Sequence, residues 1–327
     1  MSELSLSVAL GDYDRVRPIL DGRVQIDGVE PVTFALSPEE IFFRAFRHAE
    51  FDICELSLSS YCVMTQRGTS DYIGIPAFPS RAFRHTSIYV RKDRITRPED
   101  LKGCKIGVPE YQLTANVWVR AILEEYDVHP RDIHWIRGGL EEPGRLEKIA
   151  LKLPPDVKLE NAPEGRTLSQ MLDTGEIDAV ITPRMPSVNR SNSNIGWLFD
   201  DPTATAKDYF KRTGIFPIMH LMGIRKDLVE RHPWLPNAVF KASVQAKDMA
   251  MDLLRDTSAT KVTLPFVEEQ LVAAEELMGD DFWPYGVERN RRTLDAFLGA
   301  HHTQGLSARR LCVEELFHHA TLEQFAI

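Results

Sequence analysis

A chain of 327 residues with 43% hydrophobic and 27% charged residues has the make-up of an ordinary globular protein, long enough for two cores. Its formal net charge of −9 argues against a nucleic acid or an anionic membrane as partner, so a site for an anion has to be a local arginine cluster working against the overall field. Cys54, Cys62, Cys104 and Cys312 lack CxxC spacing, no apolar run approaches the roughly 18 residues of a membrane span, and residues 1–10 show no leader pattern; free thiols and a cytoplasmic location are expected.

Residues 1–10 alternate polar and apolar, and Leu4 to Leu10 reads as a first strand that ends in Gly11-Asp12-Tyr13-Asp14-Arg15. Val29 to Phe34 is a second extended segment. Ser37-Pro38-Glu39-Glu40 then opens a helix, with Pro38 where its missing N–H costs nothing. Phe51 to Leu56 is a third strand, ending in the polar tip Ser57-Leu58-Ser59-Ser60-Tyr61. This order gives parallel strands joined by a crossover helix. After Arg81-Ala82-Phe83-Arg84-His85 comes a strand from Thr86 to Val90, then a short helix over Arg97–Gly103. Lys105 to Val108 is a buried strand, followed by a helix over Leu113–Glu125 and a strand at His134–Ile136. Thr167 to Leu172 starts another helix, and Ile177 to Ile181 is a buried strand ending in Thr182-Pro183-Arg184. From Pro233 onward the chain is helical, with Ala238–Leu254 and Glu268–Met278 periodic at about 3.6 residues. The fold class is α/β with two lobes. Residues 1–90 and 216–327, with the C-terminal helices, are expected to form one, and 91–215 an inserted second.

The turn Pro109-Glu110-Tyr111-Gln112-Leu113-Thr114 joins a strand end to a helix N-terminus, where unpaired N–H groups and the helix dipole favour an anion. Asp12, Tyr13, Asp14 and Arg15 follow the first strand, the end at which open α/β sheets bind ligands; a turn with its own ion pair reads as well there. Ser57 stands at the third strand tip. Arg81, Arg84 and His85 cluster before a crossing strand, and Arg184 follows a buried strand between prolines. Arginine suits carboxylates because its planar fork matches two oxygens. His220, in an apolar strand, reads equally as a core residue. No HExxH, EF-hand, GxGxxG, GK[ST] or GxSxG pattern occurs, and Gly138-Gly139 reads as a turn. His301-His302 and His318-His319 are adjacent pairs whose side chains point about 100° apart on a helix, so neither pair shares an ion from one face. No metal and no cofactor are expected.

The run Gly107-Val108-Pro109-Glu110-Tyr111-Gln112-Leu113-Thr114-Ala115 with Trp118 resembles the 4,5-dihydroxyphthalate decarboxylase family. So do Arg81 to His85, Gly175 to Ala179, and Trp283-Pro284-Tyr285-Gly286 with Asn290-Arg291 and Gln304-Gly305-Leu306. The resemblance covers nearly the whole chain. It implies a type II periplasmic-binding-protein-like fold, two-lobed, with the ligand in a cleft between the lobes. It also implies non-oxidative decarboxylation of 4,5-dihydroxyphthalate to 3,4-dihydroxybenzoate and CO2. The substrate needs no electron sink, because a hydroxyl para to each carboxylate supplies electron density while a proton reaches the ring carbon. The implied needs are a proton donor, a base for the phenol, arginines for the spectator carboxylate, and exclusion of water.

On position, His85 is expected to give the proton, with Glu110 or His220 polarising a phenol. Arg15, Arg84 and Arg184 are expected to hold carboxylates, with Ser57, Arg81, Gln112 and Thr114 as further substrate contacts. The expected partner is a small aromatic dicarboxylate, with no nucleic acid and no membrane; a homo-oligomer is left open. The competing reading is a non-catalytic solute-binding or sensor protein for a small aromatic carboxylate. If the decarboxylase reading holds, dialysis against a strong chelator leaves kcat unchanged. Activity that disappears and returns only with a divalent metal contradicts the metal-free expectation.

Overall fold

The computed structural model of the chain describes residues 3–323, so Met1 and Ser2 of the first alternating stretch lie outside the described residues. Its strands, in chain order, are β1 (Leu4–Leu10), β2 (Val29–Ala35), β3 (Ile53–Ser57), β4 (Tyr72–Arg81), β5 (Ile88–Arg91), β6 (Lys105–Val108), β7 (His134–Arg137), β8 (Lys158–Asn161), β9 (Ala179–Ile181), β10 (Ile195–Trp197) and β11 (Ile218–Arg225). They form two sheets, ordered β2-β1-β3-β11-β4 and β10-β5-β9-β6-β7-β8. In the first, β1 runs parallel to β2 and β3, while β11 is antiparallel to β3. In the second, β6 runs parallel to β7 and β9, β7 parallel to β8, and β5 antiparallel to both β9 and β10.

Local chemistry accounts for many of the boundaries. Ser37 caps the helix Pro38–His48 by accepting from the Glu40 N–H, with Pro38 in the first turn and Ala49 in the left-handed region at the end. Thr167 and Gln170 cap the helix Leu168–Thr174 reciprocally, and Gly175, at φ +77, stops it. The strand expected from Thr86 starts two residues later, because His85–Ser87 form a 3₁₀ turn. β4 escapes a propensity reading because Pro76 and Pro79 interrupt it. It lies at the edge of its sheet, the place where proline is tolerated. The helix Leu58–Gln66 likewise carries no clear sequence signal, whereas Pro202–Thr213, absent from the expected elements, has Asp201 as its cap, Pro202 in its first turn and Gly214 at its end.

The chain divides into two compact units. The first holds the residues up to Arg81, His220–Leu294, and the chain from Cys312 onward; the second holds Ala82–Met219 and Asp295–Leu311. The sequence reading set the divisions at 90/91 and 215/216 and left the whole C-terminal segment in the first unit. Residues 295–311 belong with the second because Phe297 packs against Trp118 at 5.4 Å, and Gln304 donates to the Val117 carbonyl and accepts from Arg120 Nε. Among the described residues, no helix is long and apolar enough to cross a membrane.

Trp118 centres the second unit's core: it is 1% exposed and donates Nε1–H to the Ile218 carbonyl at 2.8 Å. Trp118→Ala should lower the unfolding free energy by about 3–5 kcal/mol, through lost burial and a residual cavity. Urea denaturation reads it; a cost below about 1 kcal/mol contradicts this packing.

Candidate functional site

In the first unit the polar residues converge on Glu55, in the middle of β3 and fully buried. A carboxylate placed there must find its hydrogen bonds inside the protein. Oε2 accepts the Gly11 N–H at 3.0 Å, just past the end of β1. Oε1 accepts the Tyr13 hydroxyl at 3.3 Å and a short hydrogen bond from Nδ1 of His220. His220 is the third residue of β11 and pairs in register with Ser57. Its ring packs edge-on against Phe42 at 4.7 Å, and its side chain keeps 16% exposure. With Nδ1 committed to Glu55, Nε2 is the open nitrogen, with no hydrogen bond among the described residues. Burial, then the Glu55 charge, raises the Tyr13 pKa, so that group stays a neutral phenol and a hydrogen-bond donor.

Arg15 lies against the same corner. Its guanidinium sits 4.7 Å from the Tyr13 ring centre and 4.4 Å from that of Trp283, a cation–π pairing on two rings. Nε donates to the Pro79 carbonyl and Nη1 to the exposed Asp14. Trp283 is itself fixed through Nε1–H to the Phe78 carbonyl at 2.9 Å. Arg81, expected as a carboxylate contact, is instead buried and donates to the Pro284 carbonyl and to Asn290 Oδ1. Burial pushes its pKa down to about 9. It ties the segment after Trp283 to β4. Ser57 is buried and starts the helix Leu58–Gln66 without a side-chain cap bond.

In the second unit, Glu110 is buried and fully engaged: Arg145 Nη2 donates to it at 2.7 Å and Lys148 Nζ at 2.6 Å. The helix Thr114–Glu124 has no side-chain N-cap and no acid in its first turn. Gln112 is buried, with Nε2 3.5 Å from the Ile149 carbonyl and, among the described residues, no hydrogen bond to Oε1. Thr114, also buried, is the first residue of that helix. His85 is buried against Phe199 and Tyr209 at 5.5 and 5.4 Å, and its Nδ1 has no hydrogen bond among the described residues. Burial, with a smaller push from Arg212, lowers its pKa to about 4, so it is neutral near pH 7. Arg84 donates Nε–H to the Met219 sulfur at 3.1 Å, and burial lowers its pKa to about 10. Arg184 is exposed just past β9, its N–H donating to Thr182 Oγ1 at 3.3 Å.

Of the expected residues, His220 and Arg15 thus share the Glu55 corner, with Ser57 beside His220 along the sheet. Glu55 and Tyr13 complete that corner. An acidic residue inside an otherwise apolar strand, Ile53-Cys54-Glu55-Leu56, is the sequence signal that points to Glu55.

No family model matches the chain. It is 60% identical over 330 residues to the 4,5-dihydroxyphthalate decarboxylase of Comamonas testosteroni, with 100% of each chain covered. It is 61% identical over 214 residues to the 4,5-dihydroxyphthalate decarboxylase of Pseudomonas putida, across 64% of this chain and 83% of that one. Among solved structures, it is similar to the alkanesulfonate-binding protein SsuA of Xanthomonas axonopodis pv. citri, with a TM-score of 0.54 and 12% identity over 97% of this chain and 99% of that one. The periplasmic sulfonate-binding protein SsuA of Methylobacillus flagellatus KT gives a TM-score of 0.56 at 12% identity, over 97% and 92%. At such identities the likeness is one of fold: the α/β, type II periplasmic-binding-protein architecture expected from sequence.

Gly11 makes room for Tyr13, since a Cβ there would lie 2.5 Å from the tyrosine ring. Gly11→Ala should therefore cost about 1–3 kcal/mol of stability by overpacking. In a Tyr13→Ala background most of that cost should vanish. An equal cost in both backgrounds, read by urea denaturation, contradicts the proposed fit.

Proposed function

The chain belongs to the 4,5-dihydroxyphthalate decarboxylase family, and on that premise we propose that His220, held by Glu55, supplies the proton with which it releases one carboxylate of 4,5-dihydroxyphthalate as CO2. The observation that carries this reading is the pair itself. A buried carboxylate fixes Nδ1 of a partly exposed imidazole and leaves Nε2 open. That division of roles suits a general acid: the carboxylate sets the tautomer and stabilises positive charge on the ring, while the other nitrogen exchanges the proton.

Electron density from the para hydroxyl raises the basicity of the ring carbon that bears the leaving carboxylate. Nε2–H delivers its proton to that carbon. The C–C bond to the carboxylate then breaks, its electron pair stays in the ring and restores aromaticity, and CO2 departs. His220 regains its proton from solvent. One proton is consumed and one CO2 released for each 3,4-dihydroxybenzoate formed.

His85 and Glu110, expected to share this chemistry, have other surroundings. Burial first, and then the Arg212 charge, lower the His85 pKa to about 4, which disfavours an imidazolium near neutrality. The Glu110 carboxylate is neutralised by Arg145 and Lys148. Arg15 is the proposed carboxylate holder of the first unit, kept in orientation by its two aromatic faces, with Ser57 as a further donor. In the second unit the proposal rests first on Arg84. Its guanidinium has lost most of its water and faces a thioether in place of a carboxylate, an electrostatic debt that a substrate carboxylate would settle. Gln112, Thr114 and Arg184 are proposed as further contacts there. Arg81 is proposed as a positioning residue for the segment that carries Trp283. The cytoplasm remains the proposed location, supported by four free cysteines.

The test is turnover in D2O. 4,5-Dihydroxyphthalate should give CO2 and 3,4-dihydroxybenzoate with one deuterium on the ring carbon ortho to the remaining carboxylate. His220→Gln should lower kcat by about 10²–10⁴ while KM stays within a few-fold. No turnover, or product without deuterium, overturns the reaction; near-normal kcat in the variant overturns the role of His220.

A further inference from the structure

Between β7 and β8 the chain runs from Gly138 to Val157 without a helix or long strand, and part of this loop is clamped onto the turn before the helix Thr114–Glu124. Glu110 holds Arg145 and Lys148, and the Ile149 carbonyl meets Gln112. The central contact is Glu147, whose Oε1 accepts the backbone N–H of Tyr111, with the Gln112 N–H also directed at the carboxyl group. These amides belong to the turn that leads from the end of β6 to Leu113, the residue before the helix. A carboxylate of the protein's own already stands in that position.

Glu147 is a poor permanent occupant. Among the described residues, its buried Oε2 and the buried Oε1 of Gln112 have no hydrogen-bond partner. Burial first, and then the nearby Glu110 charge, push the Glu147 carboxyl up to about 7, against the backbone donors and Arg137. The charged groups around it are Glu110 on the turn, Arg137 at the end of β7, Arg120 on the helix, and Arg145 and Lys148 on its own loop. The loop also has somewhere to go. Leu146 is 65% exposed, and a cavity of 440 Å³ lined by Arg137, Arg145, Leu146 and Asn161 borders it.

We propose that the Tyr111 and Gln112 amides are the subsite for a carboxylate of the aromatic substrate, and that the Glu147 carboxyl group fills this subsite until the substrate displaces it and frees the loop. The proposal rests on the decarboxylase reading and deepens it. The incoming carboxylate satisfies the same donors, and Glu147 moves out into water, where its carboxyl returns to the ordinary range and ionises. Free protein thus holds a proton that the complex releases, so affinity rises with pH up to about 7 and then levels. For a carboxyl going from about 7 to the ordinary value of roughly 4.3, linkage gives about tenfold tighter binding at pH 8 than at pH 6.

The test uses phthalate, which keeps both carboxylates and lacks the hydroxyls that drive CO2 loss. Calorimetry at pH 6 in two buffers of different ionisation heat should show close to one more proton released per phthalate bound by the wild type than by Glu147→Gln. The roughly tenfold gain in affinity from pH 6 to pH 8 should be largely absent from the variant, which also serves as baseline for the ligand's own ionisation. As a second readout on the wild type, phthalate should speed tryptic cleavage after Arg145 and Lys148, followed by mass spectrometry. Equal proton release and pH slope in both proteins, cleavage that is unchanged or slowed, or absent phthalate binding while 4,5-dihydroxyphthalate is still turned over, each overturns the displacement proposal alone. Absent turnover overturns the decarboxylase reading and the proposal with it.

Discussion

A carboxylate shut away from water is tolerated only where the protein replaces its hydration, and Glu55 obtains that replacement from three separate parts of the first unit. The N–H of Gly11 comes from the end of β1, the phenol of Tyr13 from the turn beyond it, and the imidazole of His220 from β11. Removing one partner of a buried, hydrogen-bonded ion pair typically costs about 3–5 kcal/mol, most of it the penalty on the partner left behind. The same bonds that make Glu55 acceptable in the core therefore fix the strand ends and aim the histidine. Fold and chemistry share one constraint here.

That constraint also explains Gly11 and Phe42. The glycine lets the Tyr13 ring lie close over the backbone, and the phenylalanine closes one side of the imidazole. The charges further out divide by partner. Arg145 and Lys148 neutralise Glu110 and hold a loop, and Arg81 donates to a carbonyl and an amide and holds a chain segment. Among the described residues, Arg84 has a thioether, and Arg15 the exposed Asp14, as its partner beyond carbonyl and ring faces. In a chain of net charge −9, arginines left in that condition are the ones to which the proposed carboxylate contacts fall.

Much of the fold was legible because it is local. β1 and β6 have the expected limits, and the caps at Ser37 and Thr167 stand where their side chains predict. β4 was not legible, since prolines speak against a strand until its place at a sheet edge is known. The site was less legible because it depends on distant pairings. His220 in an apolar strand reads as core or site alike, and Glu55, the partner on which its proposed role rests, lies 165 positions away. His85 reads as a proton donor beside two arginines, and its packing against Tyr209, from a helix more than 100 positions away, is not legible locally. Glu110 looked available at a strand end; its partners come from an irregular loop that no periodicity announces.

The central claim is that Glu55 and His220 act as one unit in proton delivery. A double-mutant cycle on kcat, with Glu55→Gln, His220→Gln and the double variant checked for folding by circular dichroism, tests it most directly. The pair predicts that each single change lowers kcat strongly and that the double variant is little worse than the poorer single one, as for groups that work together. Losses that multiply, or a Glu55→Gln enzyme that keeps its kcat, would contradict the account.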